Sequence, residues 1–287
     1  MIYISLPNFF GNYKINEGLI SLSNIHRDWF KLPVTFSSVT GNFPYCYFNG
    51  GYNFNIGDGA YYDDFEQCSK KISVPIRLNL ANINLTCSDF TNAMMNLILT
   101  ENENGSNLIE LNNLDLYEYI SDRYPYYKFI FSKEAGIEYA FTSDFVNTLI
   151  DSNKFKYIGI PESQTKDFTV LNGIKDKKSI IVSLNSSCNL NCNKYNTCKI
   201  DAHNTQYNYY EKCLFNTCSK FSDYSKTMIV SFDEIVNKYV SIGVNHFDLS
   251  QTCDGIGVAS IICKNFIKDE YSLDSFKFVT NFNGGVK

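Results

Sequence analysis

Apolar residues recur along this chain in short runs rich in Ile, Val, Phe and Tyr, at residues 2–6, 34–38, 74–80, 108–111, 127–131, 157–160, 179–184 and 246–249. Several runs are continuously apolar rather than alternating, as expected for strands of a parallel sheet covered on both faces. Between them, over 15–30, 89–99, 114–124, 145–151 and 232–242, apolar residues fall three and four apart, the spacing of amphipathic helices. Start signals agree with this reading. Ser231-Phe232-Asp233-Glu234 has the form of a capping box, and Thr142 or Ser143 can cap the helix that contains Phe145 and Leu149. Strands alternating with helices predict an α/β fold with right-handed crossovers. Eight such strands in 287 residues predict a single (β/α)8-type, TIM-like barrel domain over 1–287. A doubly wound open sheet is the competitor, but no GxGxxG follows the first strand. The long polar interval 188–228 reads as a cysteine-rich insertion after the seventh strand.

Composition changes this picture little. Aromatic residues are frequent at 16%, with 21 Tyr and 23 Phe but one Trp, a bias that fits an AT-rich coding sequence. The net charge of −5 and the absence of a Lys/Arg run argue against non-specific binding to nucleic-acid backbones, although a local groove with a few Arg or Lys residues stays open. No apolar stretch approaches the ~18 residues of a membrane span, and the first residues lack a basic region followed by an apolar run. A soluble, cytoplasmic protein that does not engage membranes is expected. Its substrate is a small molecule or a nucleic acid, and its protein partners and oligomeric state are left open.

The cysteines change the picture more. The chain has ten, and five of them, Cys188, Cys192, Cys198, Cys213 and Cys218, fall within 31 positions. In a reducing compartment clustered thiols point to metal or redox chemistry rather than to disulfides. Cys188 lies just past the carboxyl end of a predicted strand, the edge on which barrel active sites are built. Soft thiolate sets select iron–sulfur clusters or zinc, usually with four ligands. The spacing here, C-x3-C-x5-C and then C-x4-C, lacks the paired C-x2-C knuckles of structural zinc and tilts the reading toward a cluster. The expected ligands of a [4Fe-4S] cluster, or alternatively of zinc, are Cys188, Cys192, Cys213 and Cys218, with Cys198, His203 and Cys253 as alternatives. Cys46, Cys68, Cys87 and Cys263 read as buried small hydrophobes. A radical S-adenosylmethionine motif would need a cysteine at position 195, which is Tyr195.

A cysteine set after a late barrel strand, followed by a last strand reading GVNHFDLSQ (243–251), is similar to the collagenase-like peptidase superfamily, which includes the UbiU–UbiV-type ubiquinone-hydroxylation proteins. The resemblance implies a barrel with a four-cysteine [4Fe-4S] site and oxygen-insertion chemistry that does not use O2. The basic residue of that strand is replaced here by Asp248. A nearer likeness is to barrel proteins of tailed phages with F-P-x-x-x-W-N-G-G-R early and N-x-x-C-x-x-x-C-x-x-R-x-x-H late. The chain has FPYCYFNGGY at 43–52 and NSSCNLNCNKYNTC at 185–198, keeping Asn49, Gly50, Gly51, Asn185, Cys188 and Cys192. The two arginine positions are Tyr52 and Tyr195, and the histidine position is Cys198.

Asn49-Gly50-Gly51 permits positive φ and close backbone approach, so its amides suit either a ligand at the strand edge or a tight turn. With the two arginines lost, an anionic substrate needs other partners, and Arg77 and Lys133 near strand ends are the candidates. The expected substrate contacts are therefore Asn49, Gly50, Gly51, Arg77 and Asp248. Glu110 and Asp248 are placed to meet in a barrel mouth, where paired carboxylates can do acid–base work. No catalytic residue is assigned. His26 before Trp29 reads as structural, and His246 as packed or edge-exposed. No Ser-His-Asp order and no G-x-S-x-G is present, so peptidase activity is not supported. Two functions follow as expectations: an iron–sulfur enzyme performing a redox or hydroxylation-type modification, or a non-catalytic, zinc-stapled barrel acting as an interaction module.

Overall fold

The computed structural model describes residues 1–42, 48–49, 62–186, 230–249 and 255–282, with the backbone alone at 62–66. Eight parallel strands close into a barrel in chain order: β1 (Ile2–Leu6), β2 (Val34–Gly41), β3 (Ile76–Asn79), β4 (Leu108–Leu111), β5 (Lys128–Phe131), β6 (Tyr157–Gly159), β7 (Ile180–Ser183) and β8 (His246–Asp248). Closure is made by β1 against β8, with Tyr3 opposite His246 and Ser5 opposite Asp248. The helices that return between strands are α1 (Tyr13–Ile25), α2 (Tyr62–Lys71), α3 (Ala93–Asn102), α4 (Leu114–Arg123), α5 (Ser143–Asp151), α6 (Phe168–Gly173) and α7 (Phe232–Glu234). The chain ends in the helices α8 (Gly255–Asn265) and α9 (Asp269–Thr280), which pack on each other and on α1. This is the (β/α)8 architecture that the strand–helix alternation predicts. No helix among the described residues is long and apolar enough to cross a membrane.

Local chemistry explains where the elements start. Asn92, Asn113, Thr142 and Asp167 each accept a backbone N–H at a helix start, and Ser231 and Glu234 form the predicted reciprocal capping box. The segment 232–242 departs from the expected regular helix. Its first turn is α, Ile235–Tyr239 is a π turn, and Val240–Ile242 tightens to 3-10 before Gly243 reverses the chain at φ +97°.

The strand side chains sort into two faces. Ile2, Ile4, Leu6, Leu78, Ile109, Phe131, Ile158 and Val182 join the large apolar cluster shared with the helices. The inner face is different. A small separate cluster of Leu108, Ile130 and Ile181, with Tyr157 packed on it, occupies one layer of the lumen. The next layers are polar: Ser5, Ser38, Arg77, Asn79, Glu110, Ser183 and Asp248 are all buried. Barrels usually fill the lumen with branched apolar residues, so the burial of both strand faces here does not mean that both are apolar. The predicted insertion 188–228 lies outside the described residues.

Candidate functional site

The polar layers are built by strand alternation. Because successive side chains point to opposite faces, the outward Ile76 and Leu78 of β3 leave Arg77 and Asn79 facing the lumen. In β4 the outward Ile109 and Leu111 leave Glu110 inside. Arg77 is 1% exposed, and its Nε donates to Glu110 Oε2 at 2.7 Å, with Nη2 also 2.7 Å from the same oxygen. Its Nη1 lies 3.7 Å from Asp248 Oδ2 on β8, a strand that is not a neighbour of β3, so this contact spans the lumen. Burial alone would lower the Arg77 pKa, but the attraction of Glu110 and Asp248 outweighs it and the net shift is upward. Arg77 is therefore a fixed cation.

A second cation enters from the carboxyl end of β5. Lys133 Nζ donates to Ser183 Oγ at 2.8 Å and lies 3.4 Å from both Asp248 Oδ2 and Glu162 Oε1. Ser183 Oγ donates in turn to Asp248 Oδ1 at 2.9 Å. Two further serines hold the outer carboxylates: Ser132 donates to Glu110 Oε1 at 2.8 Å and Ser186 to Glu162 Oε2 at 2.6 Å. The result is a continuous buried network in which cations separate the carboxylates. Among the described residues no three His, Cys, Asp or Glu side chains come together as a metal site.

Amides sit beside the charges. Asn79 Nδ2 donates to Asn42 Oδ1 at 3.0 Å, and Asn112 Nδ2 to the Ala81 carbonyl at 3.1 Å. The Phe48 carbonyl accepts from Asn82 N at 3.1 Å, which seats Phe48 and Asn49, both 1% exposed, against the chain leaving β3. Among the described residues the buried donor Arg77 Nη1 and the buried acceptor Asn112 Oδ1 have no hydrogen-bond partner, although Nη1 is within ion-pair distance of Asp248. Buried polar groups are satisfied in the great majority of cases, which sets this donor and acceptor apart.

Of the expected substrate contacts, Arg77 and Asp248 meet in this network, Asn49 is buried beside Phe48, and Gly50 and Gly51 lie outside the described residues. Glu110 and Asp248 do share the lumen, but Arg77 bridges them, so they do not form a bare carboxylate pair. Lys133 takes part as a member of the network. Glu162, Ser183, Ser132 and Ser186 are not singled out by the sequence. For Ser183 the available signal was the polar end of the apolar strand IIVS, whereas Ser132, Glu162 and Ser186 lie past strand ends, where no periodicity marks them. His26 stacks on Trp29 at 4.0 Å and is structural, as expected. His246 is packed between Tyr3 and Tyr157.

The cysteines Cys46, Cys188, Cys192, Cys198, Cys213, Cys218 and Cys253, and also His203, lie outside the described residues. Cys263 is buried, and burial pushes its thiol up to about 12, in keeping with a small core residue. Cys68 is half-buried and packs against the apolar core, whereas Cys87 is exposed, which corrects the reading of Cys87 as a buried thiol. Cys87 lies in the turn-rich stretch before α3, where the backbone folds locally around Asp89 and no apolar layer covers it.

Fold and site together define a (β/α)8 barrel whose polar, ion-paired lumen sits at the carboxyl ends of its strands. No family model and no curated protein sequence matches the chain. Among solved structures it is similar to the U32 peptidase Mk0906, with a TM-score of 0.47 and 8% sequence identity, over 87% of this chain and 92% of that one.

Proposed function

We propose that this protein is a barrel enzyme that binds a small molecule or a nucleic-acid nucleotide over the Arg77–Glu110–Asp248–Lys133–Glu162 network. A [4Fe-4S] cluster held by Cys188, Cys192, Cys213 and Cys218 would supply redox chemistry beside it, for a redox or hydroxylation-type modification. The observation that carries the reading is the buried network itself. Burying such ions costs several kcal/mol each, and apolar packing of similar volume is often as stable or more so. A lumen this charged is therefore better accounted for by what it binds than by what it stabilises.

The motif likeness supports the cluster, and so does the path of the chain. Cys188 follows Ser186 by two residues, a span of at most about 7 Å, and Ser186 is hydrogen-bonded to Glu162 of the network. The donor set suits a cluster: four thiolates are the usual complement, and the carboxylates of the lumen are already engaged by Arg77 and Lys133. Within the network, Lys133 is the group able to donate a proton, and Asp248 and Glu162 are the groups able to accept one. Ser183 fixes the relative positions of Lys133 and Asp248.

The test is anaerobic purification of the wild type and of Cys192→Ser, with a visible spectrum and iron, sulfide and zinc analysis. Broad thiolate-to-iron absorbance and about four irons per chain, lost in the variant, are the expected result. Zinc alone would move the reading to a zinc-stapled interaction module, and no metal in either protein would overturn the cofactor assignment.

A further inference from the structure

The opposite end of the barrel carries a second concavity, a cavity of about 470 Å³ that enters the lumen from the amino-terminal ends of the strands. That volume lies within the range of small-molecule sites. Its inner end is Ser5 and Ser38, whose hydroxyls hydrogen-bond to each other at 2.6 Å. Its floor is the luminal cluster of Leu108, Ile130 and Ile181. One wall is aromatic: His246 stacks on Tyr3 with ring centroids 4.7 Å apart and meets Tyr157 at 4.6 Å.

The charge of this cavity runs against that of the molecule. The chain carries a net −5, yet the charged residues lining the cavity are Lys156 and Lys178, and no Asp or Glu lines it among the described residues. Several other lysines are paired: Lys154 with Glu118, Lys175 with Asp151, and Lys166 and Lys238 with Glu234. Lys156 and Lys178 have no ion pair among the described residues. The Lys156 ammonium lies 4.9 Å from the Tyr157 ring centroid, so cation and aromatic wall face the same space. The positive field is felt by the neighbours. Burial and then Lys156 hold the His246 pKa down to about 4, and partial burial and then Lys128 hold Lys156 below its ordinary value.

We propose that this amino-terminal cavity is a second ligand site, one that takes a small planar aromatic anion with a carboxylate or phosphate group. The ring would lie on the Leu108–Ile130–Ile181 floor against Tyr3, His246 and Tyr157. The anionic group would be paired by Lys156 and Lys178 at the rim. None of Arg77, Glu110, Asp248, Lys133 and Glu162 lines this cavity, although Ser5 at its inner end is opposite Asp248, and the site does not rest on the proposed cluster.

The probes are 2-naphthoate, 2-naphthyl phosphate and the neutral methyl 2-naphthoate, titrated calorimetrically into the full chain. At least one acid is expected to bind saturably with one site per chain, and roughly tenfold more tightly than the ester. The tighter of the two acids identifies the ligand's anionic group. Lys156→Gln/Lys178→Gln replaces two exposed side chains, so the fold is not at risk, and it should remove that tenfold preference. Cys192→Ser should leave the binding unchanged, which keeps this test distinct from that of the cluster. Equal affinity for ester and acids, an unaffected double variant, or no saturable binding of any probe would each overturn the proposal.

Discussion

His246 shows how one ring can couple folding to pH. Held against Tyr3 and Tyr157, it loses water on both faces, and Lys156 adds a like charge, so its pKa falls from the ordinary 6.5 to about 4. As pH drops below 6.5 the unfolded chain takes up a proton that the folded chain still refuses, so the unfolded state binds more protons and stability declines. The loss is complete near pH 4, where the folded imidazole is protonated as well, and above 6.5 the full stability is present. Each pKa unit corresponds to about 1.4 kcal/mol, and allowing for the part of the ring that water reaches leaves on the order of 2 kcal/mol. His246→Phe keeps the aromatic wall and removes the proton site. Its denaturant midpoint should fall less steeply than that of the wild type between pH 6.5 and 4, and parallel curves would refute the linkage.

The elements show where backbone proximity sets the sequence. At Gly159 of β6, a Cβ would lie 2.8 Å from the backbone nitrogen of Lys133 and 3.2 Å from its Cβ. The barrel closes so tightly there that the segment leaving β5 passes directly over β6, and this passage brings Lys133 to Ser183. Gly159→Ala should therefore displace Lys133 and destabilise the protein by about 1–3 kcal/mol, the usual penalty of overpacking. Equilibrium unfolding of the variant measures it, and an unchanged midpoint would show that the chain yields without strain. The element order was legible for a related reason. β1 and β4 match their predicted runs, because outward apolar positions must pack on helices whatever the lumen contains. β2 runs on to Gly41, past the predicted end, because polar luminal residues such as Thr40 carry no apolar signal. The sequence pattern does not mark α8 and α9. The sequence GIGVASIICKN of α8 is apolar on nearly every side, and such a run lacks the one-sided stripe that identifies a surface helix.

For the whole molecule, the closing of the barrel joins residues far apart in the chain. Lys133 and Asp248 are 115 positions apart, and no spacing in the sequence could have paired them, whereas Arg77 and Asp248 stood out as charges inside apolar strands. The network they form separates two accounts of the polar lumen. If it exists to hold the fold, each member should matter in proportion to its contacts, and removing all of them should do the most harm. If it exists to hold a ligand, harm should follow only from leaving an ion unpaired. Arg77→Met strips the partner from Glu110 and weakens the field on Asp248, and it should cost about 3–5 kcal/mol, the penalty of an uncompensated buried charge. Adding Glu110→Gln and Asp248→Asn neutralises those carboxylates and should recover most of that loss, although three charged groups rather than one are then gone. Urea midpoints of the single and triple variants decide between the accounts. A triple variant near wild-type stability would mean that folding does not require these charges, which leaves recognition as the reason for their burial. A triple variant weaker than Arg77→Met would make the ion network a structural keystone and remove the main support for a substrate site in the lumen.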